Sequence, residues 1–263
     1  WVPLGKTMQV IVTSEKQVPA GTKFEGELPA PRANAGFYRD IAALAFPTPK
    51  DPDNPANRIQ NLSAKGMYWN GIYGGSLHDA GAAGIPAESI VVQDSIVDLS
   101  GRMTANGVLT WDAPRLPDSG TWTVIRFGHT FTGAKSHPAP ATGAGPECDK
   151  LSKEGIEANY NGMIGKLVGD VGPLAGKTFA ATHVDSWEVG SQNWTPKMQD
   201  EFKRLRDYDM TPMLPVLAGR IVGSLDISER FLRDVRQTIS DLLAENYIGH
   251  LRTLANRDGL RLS

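Results

Sequence analysis

The sequence of 263 residues contains a single cysteine, Cys148. With one thiol no disulfide can form within the chain, so the fold must depend on packing alone. Cys148 stands between Glu147 and Asp149, and acidic neighbours favour the protonated, unreactive form of a thiol. We therefore interpret Cys148 as a bystander rather than as a nucleophile.

The chain also lacks a signal peptide and any apolar run of the roughly 18 residues that a membrane-spanning helix requires. Its formal net charge is only −2, and its basic residues are dispersed among acids, which argues against a nucleic-acid partner. The chain begins at Trp1 and ends in Leu260–Ser263, a run that resembles the opening of a strand. We expect a fragment of a longer protein, so the localisation stays open.

Several motifs of well-known sites are absent. The sequence has no Gly-rich phosphate loop, no Cys or His spacing typical of zinc, and no Gly-x-Ser-x-Gly elbow. The spacings of two and three between His183, Asp185 and Glu188 match no known ligand set on a helix or hairpin. His129 and His137 are isolated, and we interpret them as structural. Metal ligands are therefore not defined by the sequence.

Residues 1–132 show a hydrophobic period of two, interrupted by turn residues. The whole chain contains 28 Gly and 18 Pro, which favour turns. The candidate strands are Met8–Thr13, Tyr38–Phe46, Ser89–Val92, Ile96–Leu99, Val108–Trp111 and Thr121–Phe127. Short strands at this density predict a β-sandwich of the jelly-roll type. Alternation is imperfect in the last strand, which indicates that both of its faces are covered.

Residues 133–149 are poor in apolar side chains and are predicted to link this domain to a second one, residues 150–263. There the period changes to about 3.6, which is typical of helices. Helices are predicted over Ile156–Leu167, over Met198–Leu205 behind a Thr195–Pro196 cap, and from Asp226 with Glu229 completing a capping box. Strands are predicted at Thr178–Ser186, Met213–Leu217 and Leu260. This alternation predicts a parallel sheet, whose catalytic residues gather at the carboxyl ends of its strands.

The segment His183–Thr195 combines carboxylates, indoles and side-chain amides directly after a predicted strand. Carboxylates exchange protons with a glycosidic oxygen, indole faces stack on pyranose rings, and amides bind sugar hydroxyls. Glu188 is the candidate general acid, because Trp187 and Val189 are expected to desolvate its carboxyl group and so favour the protonated form. A salt-bridged or helix-capping Glu188 is the alternative.

The other polar side chains of this segment are candidates for substrate binding. Asp185 and His183 share one face of the strand, where Asp185 could bind hydroxyls, hold a cation or orient a neighbour. Trp187 and Trp194 could stack on a sugar or belong to the core. Gln192 and Asn193 could bind hydroxyls or satisfy the first turn of the following helix.

Three segments make the chain resemble the bacterial α-L-rhamnosidases of glycoside hydrolase family 106. They are Asp185–Thr195, Thr121–Thr130, and Asp98–Ser100 with the downstream Gly107–Trp111. The resemblance implies β-sandwich modules around a (β/α)8 barrel, of which this chain would hold the sandwich and the first βα units. It also implies removal of terminal α-L-rhamnose from a glycoside with inversion, assistance by calcium, and a periplasmic or secreted location.

By the same resemblance Glu188 corresponds to the general acid, and Asp185, Trp187, Asn193 and Trp194 line the site. The base that activates water is expected beyond Ser263. Two alternatives remain open: a carbohydrate-binding or structural protein without catalysis, and a glycosidase of the same architecture that acts on another sugar, such as a β-linked hexoside.

Overall fold

A four-stranded antiparallel sheet forms the centre of the first half of the chain. The computed structural model describes residues 2–69, 77 and 84–263. The strands of this half are β1 (Gln9–Pro19), β2 (Lys23–Glu27), β3 (Arg39–Pro47), β4 (Val97–Asp98), β5 (Val108–Asp112) and β6 (Thr121–Phe131). The central sheet has the order β1-β6-β3-β4, and β2 pairs with β5 in a separate two-stranded sheet.

The central sheet is covered on both faces. On one face, Trp111 of β5 packs edge-on against Trp122 of β6, with ring centroids 5.3 Å apart, and a cluster of buried side chains surrounds the pair. On the other face, Ile125 and Phe127 pack with side chains from the second half of the chain. Every residue from Trp122 to Phe131 is buried, which explains the imperfect alternation of this strand and confirms that prediction.

Two predicted strands of the first half differ from the structure. Ser89–Val92 is not a strand, because Ala87–Ser89 forms a 3-10 turn and only Val91 makes a bridge, to Val222. The predicted strand at Ile96–Leu99 is reduced to Val97–Asp98, since Leu99 already begins the next turn.

The second half of the chain is mainly helical. Its helices follow α1 (Leu62–Lys65) of the first half and are α2 (Lys153–Gly162), α3 (Ile164–Val171), α4 (Met198–Arg206), α5 (Leu214–Leu217), α6 (Leu225–Leu242), a π-helical turn (Leu243–Gly249) and α7 (His250–Arg257). None of the helices in the described ranges combines the length and the hydropathy that crossing a bilayer requires.

The helix boundaries correct three predictions. The predicted stripe from Ile156 to Leu167 is two helices, which meet at the non-helical backbone of Met163. Helix α4 starts at Met198, later than the Thr195–Pro196 cap. Helix α6 is capped by Ser224, whose hydroxyl accepts a hydrogen bond from the backbone N–H of Ile227, so the predicted capping box at Asp226 is wrong.

The run Met213–Leu217 is helical and not a strand. It comprises the end of a 3-10 turn (Thr211–Met213) and helix α5, and Pro212 and Pro215 occupy first-turn positions of these two helices. Proline suits a first turn because the backbone donor that it lacks would be unpaired there. An apolar run of this length has the same pattern in a buried strand and in a buried helix, so periodicity alone led to the wrong element.

Two short parallel strands, β7 (Ala181–Thr182) and β8 (Arg261–Leu262), bring the end of the chain beside its middle. They confirm the predicted parallel pairing of these regions, although β7 is far shorter than the predicted Thr178–Ser186. The ladder is extended where the backbone N–H of Val184 donates to the carbonyl of Ser263 over 2.9 Å. The segment that carries the candidate site therefore leaves the sheet at the carboxyl end of β7.

One hydrophobic core joins the two halves of the chain. It contains Ile11 and Phe46 from the central sheet together with Trp194, Phe202 and Phe231 from the second half. The region that was predicted to be a linker, residues 133–149, ends in buried Cys148 and Asp149. The mixed β and α architecture is confirmed, and the finer division into a sandwich and part of a barrel stays a prediction.

Candidate active site

A cleft of about 330 Å³ opens beside the carboxyl end of β7. Four of the predicted site residues lie in its wall: His183, Asp185, Trp187 and Glu188. All four follow β7 in the chain, in a segment without regular secondary structure. The structure therefore brings these side chains to one cavity, and their individual roles stay predictions.

A buried ion pair lies at one side of this cleft. The Lys150 ammonium group is 2.5 Å from a carboxylate oxygen of Glu147, and the Lys150 side chain is only 7% exposed. The same ammonium group lies 5.0 Å from the centre of the Trp187 ring. A cation at this distance is attracted by the electrons of the indole face. Glu147, Lys150 and Trp187 are therefore one electrostatically coupled group.

Trp187 is held at three points. Besides its contact with Lys150, its ring packs edge-on against Tyr247, with centroids 6.2 Å apart. The indole N–H donates a 2.5 Å hydrogen bond to the carbonyl of Gly190, and Gly190 has a φ of 77°, which glycine adopts without strain. The indole is therefore a fixed wall of the cleft, and the residues that fix it come from three separate parts of the chain.

Glu188 stands where this cleft meets a second cavity. The second cavity has a volume of about 460 Å³ and is lined by Thr132–Lys135, His137, Glu188 and Val189. Glu188, Val189 and His137 line both cavities. Glu188 is exposed to solvent, so the prediction that Trp187 and Val189 bury its carboxyl group is wrong. The Trp187 ring packs against Lys150 and Tyr247 instead. Its carboxyl group is accessible from both sides.

Asp185 and His183 are also exposed in the cleft. An Asp185 carboxylate oxygen accepts hydrogen bonds from the backbone N–H of Ser186, over 2.7 Å, and from the Ser186 hydroxyl, over 3.3 Å. The Nδ1 atom of His183 is 3.1 Å from the hydroxyl of Ser263. These local bonds restrict the rotation of both side chains and leave the second oxygen of Asp185 open to a ligand.

Gln192, Asn193 and Trp194 are not in the cleft; all three are at most 2% exposed. Asn193 accepts from the backbone N–H of Ile11 over 2.9 Å and donates to the carbonyl of Gly66 over 2.7 Å. Trp194 belongs to the core that joins the two halves. The amides of Gln192 and Asn193 are already hydrogen-bonded inside the protein, so the three residues form the buried, helix-side end of the site segment, and their predicted roles in binding stay predictions.

Asp149 is hydrogen-bonded to several residues of this buried segment. It is fully buried, and its carboxylate accepts hydrogen bonds from the Thr195 hydroxyl over 2.6 Å, from the Gln192 amide over 2.5 Å and from the backbone N–H of Leu151 over 2.9 Å. Burial disfavours its charged form and raises the pKa of Asp149 to about 6, against the opposing effect of these donors.

We expect this shift to make the stability of the wild-type protein fall as the pH rises toward 7. The pKa of Asp149 is higher in the folded state than the ordinary value of 3.8. Its stabilising contribution is therefore complete below pH 4 and is lost as the pH rises through about 6, which amounts to about 2–3 kcal/mol. Asp149→Asn cannot titrate. The free energy of unfolding of both proteins is measured in urea from pH 4 to 8. The difference between the wild type and Asp149→Asn should change with pH by this amount, and a difference that is constant over this range would contradict the prediction.

Sequence reasoning missed Glu147, Lys150 and Tyr247 as residues of the cleft. Glu147 falls at the end of the predicted linker and Lys150 directly after it, where no hydrophobic period marks them as structured. A spacing of three between opposite charges was the available signal, and it is common on exposed surfaces. His129, interpreted as structural, is indeed buried, and burial lowers its pKa to about 4. His137, interpreted in the same way, lines both cavities.

Assistance by calcium stays a prediction. Within residues 2–69, 77 and 84–263, no group of three or more His, Cys, Asp or Glu side chains is arranged to hold a metal ion. The buried thiol of Cys148 is no better a ligand or nucleophile, because burial raises its pKa to about 11. No step of the chemistry proposed below depends on a metal.

Comparisons with known proteins agree with this geometry. The chain is 39% identical over all of its 263 residues to a protein of Formosa agariphila named "Putative beta-glucuronidase". Its fold matches that of a rhamnosidase from Novosphingobium sp. PP1Y with a TM-score of 0.86 over the whole chain, at 23% identity. The chain spans only 22% of the length of the first protein and 37% of the second.

The sequence profile of glycoside hydrolase family 106, described as alpha-L-rhamnosidase, matches residues 75–262, which is more than two thirds of the chain. The match includes the whole segment that leaves β7 and lines the cleft. The resemblance noted from the sequence is thereby confirmed: the chain belongs to glycoside hydrolase family 106, the alpha-L-rhamnosidase family.

Proposed function

We propose that the intact protein that carries this chain is a glycoside hydrolase that removes terminal α-L-rhamnose, and that Glu188 is its general acid. The observation that carries this proposal is the position of Glu188, accessible at the junction of two cavities directly after β7. A general acid must reach an oxygen that joins two parts of a substrate. Membership of family 106 supports rhamnose as the sugar.

For the fold we propose that the second half of the chain is the beginning of a (β/α)8 barrel. The parallel pair β7 and β8, with helices between the two strands, supports this proposal, because a (β/α)8 barrel consists of parallel strands joined through helices. The two sheets of the first half are proposed to form the β-sandwich module. The match in fold to the Novosphingobium rhamnosidase supports a shared architecture.

For the mechanism we propose inversion, with Glu188 donating a proton to the leaving oxygen while a second carboxylate activates water. In inverting enzymes the two carboxyl groups are about 6.5–9.5 Å apart, which leaves room for that water. We propose that the base comes from a part of the longer protein outside these 263 residues. The chain covers only 22% and 37% of its relatives, which leaves ample chain for it.

The name of the Formosa relative favours a second candidate, an enzyme that hydrolyses β-glucuronides on the same architecture. In that case a cationic side chain must bind the carboxylate of the terminal sugar. Among the described residues that line the cleft beside β7, here named the main cleft, Lys150 is the only lysine, and it already pairs with Glu147. This pairing supports a neutral terminal sugar and ranks the glucuronide second.

A panel of chromogenic substrates tests the proposal. The intact protein is given the para-nitrophenyl α-L-rhamnoside, β-D-glucuronide and β-D-glucoside, and the first anomer formed is identified by proton NMR. We expect hydrolysis of the rhamnoside, with β-L-rhamnose as the first product. Hydrolysis of the glucuronide or glucoside alone would support another sugar, and saturable binding without hydrolysis would indicate a carbohydrate-binding protein.

A further inference from the structure

We propose that the cavity formed by Thr132–Lys135, His137, Glu188 and Val189, here named the 132–137 cavity, holds the leaving group of the substrate, and that Lys135 makes it prefer a leaving group with a carboxylate. The proposal rests on the proposed function, because it assigns the second cavity relative to Glu188 as the acid. It names the chemical class of the group that is released.

The position of Glu188 leads to the first step. A general acid must approach the glycosidic oxygen within about 2.6–3.2 Å, and this oxygen lies between the terminal sugar and the leaving group. Glu188 lines both the main cleft and the 132–137 cavity. A substrate whose glycosidic oxygen contacts Glu188 therefore extends into one cavity on each side.

The linings decide which side holds the terminal sugar. The main cleft carries the aromatic walls Trp187, Tyr247 and Tyr160, and aromatic faces next to polar groups suit a sugar ring. The residues that line the 132–137 cavity in the described part of the chain include no Phe, Tyr or Trp. The main cleft is therefore the pocket of the terminal sugar, and the 132–137 cavity receives the leaving group.

The charge of the 132–137 cavity points to an anion. Lys135 is exposed and forms no ion pair with any residue that the structure describes, whereas Lys150 in the main cleft is neutralised by Glu147. Glu188 must be protonated before it can act as an acid, so it adds no negative charge to the reactive state. An unpaired cation then remains in the cavity, and a carboxylate is its natural partner.

The backbone of Lys135 is fixed beside the cavity, while its side chain is exposed. Lys135 forms a bridge with Pro146. On either side, the N–H of Ser136 donates to the carbonyl of Gly145 over 2.9 Å, and the N–H of Glu147 donates to the carbonyl of Ala134 over 3.0 Å. This short backbone ladder connects the segment that lines the 132–137 cavity to Glu147, which pairs with Lys150 in the main cleft. The same ladder therefore stabilises the walls of both cavities.

The test compares two synthetic substrates on the intact protein: para-carboxyphenyl α-L-rhamnoside and its methyl ester. They differ in the charge of the leaving group, and we follow the ratio of their kcat/KM values. Lys135→Met should lower the acid-to-ester ratio by about 2- to 5-fold, the scale of one exposed charge pair. Raising the salt concentration to 0.5 M should shrink the wild-type preference, because salt screens exposed charges.

Lys177→Met is the matched control, because Lys177 is exposed and lies in neither cavity; its ratio should equal that of the wild type. Binding of free para-hydroxybenzoate, measured by NMR titration, tests the cavity without catalysis. Binding of para-hydroxybenzoate that is lost in Lys135→Met supports the proposal, whether or not the rhamnosides are hydrolysed. A failure to hydrolyse either rhamnoside would overturn the proposed function alone. Hydrolysis with an unchanged ratio in Lys135→Met, or binding independent of Lys135, would overturn the proposal.

Discussion

Glu188→Gln in the intact protein is expected to lower turnover by about 10² or more on rhamnosides with poor leaving groups, the usual scale for a general acid. Glutamine keeps the size of the side chain and cannot supply a proton. Glu188 is exposed at the junction of the two cavities, so its replacement leaves no buried group unpaired and should not disturb the fold.

The dependence on the leaving group separates acid catalysis from a binding role. The para-nitrophenolate ion leaves without protonation, so the loss on the para-nitrophenyl rhamnoside should be much smaller than on an alkyl rhamnoside. Glu27→Gln is the control, since Glu27 is an exposed residue of β2 outside both cavities. Equal losses on both substrates would assign Glu188 to binding, and unchanged turnover would remove it from the mechanism.

The sequence predicted the elements whose signal is local. Strands β3 and β5 lie within one residue of their predicted bounds because alternation of side chains is a property of the strand itself. Strands β1 and β6 begin within one residue of the predicted positions but end six and four residues later than predicted. Helix α6 was found for the same reason, since one apolar stripe recurs over 18 residues. The segment behind β7 was recognised because its residue types are unusual together.

Burial that depends on distant partners could not be predicted. Asn193 belongs to a polar-looking loop, and only its bonds to Ile11 and Gly66, 182 and 127 positions away, show that it is buried inside the protein. Lys150 likewise resembles a surface residue in the sequence, and Trp187, 37 positions later, provides the face that covers it. The sequence therefore misplaced residues around the site. Gln192, Asn193 and Trp194, which were predicted to bind substrate, are buried, and Glu147, which was predicted to belong to a linker, lines the cleft.

Glu147→Gln is expected to destabilise the region around the cleft by about 3 kcal/mol. The change leaves the Lys150 ammonium group, only 7% exposed, without its counter-ion, and breaking a buried pair from one side costs about 3–5 kcal/mol. The contact with Trp187 offsets part of this cost. Trp187 should lose its fixed position, so the segment that carries Asp185 and Glu188 should open more often.

The chain offers a matched pair that isolates the effect of burial. Lys197 and Glu154 are also 2.5 Å apart, but their side chains are 61% and 48% exposed, so Glu154→Gln should cost less than about 1 kcal/mol. Hydrogen exchange measured by mass spectrometry reports local opening directly. Peptides that cover residues 147–160 and 181–195 should exchange about 10²-fold faster in Glu147→Gln, and only a few-fold faster in Glu154→Gln.

The double variant Glu147→Gln/Lys150→Met decides whether the unpaired charge is the cause. Methionine fills much of the volume of lysine and carries no charge, so no buried cation remains and most of the lost protection should return. If the double variant exchanges as fast as Glu147→Gln alone, the cost comes from lost packing instead. Equal exchange in Glu147→Gln and Glu154→Gln would show that the pair beneath Trp187 does not hold the cleft together.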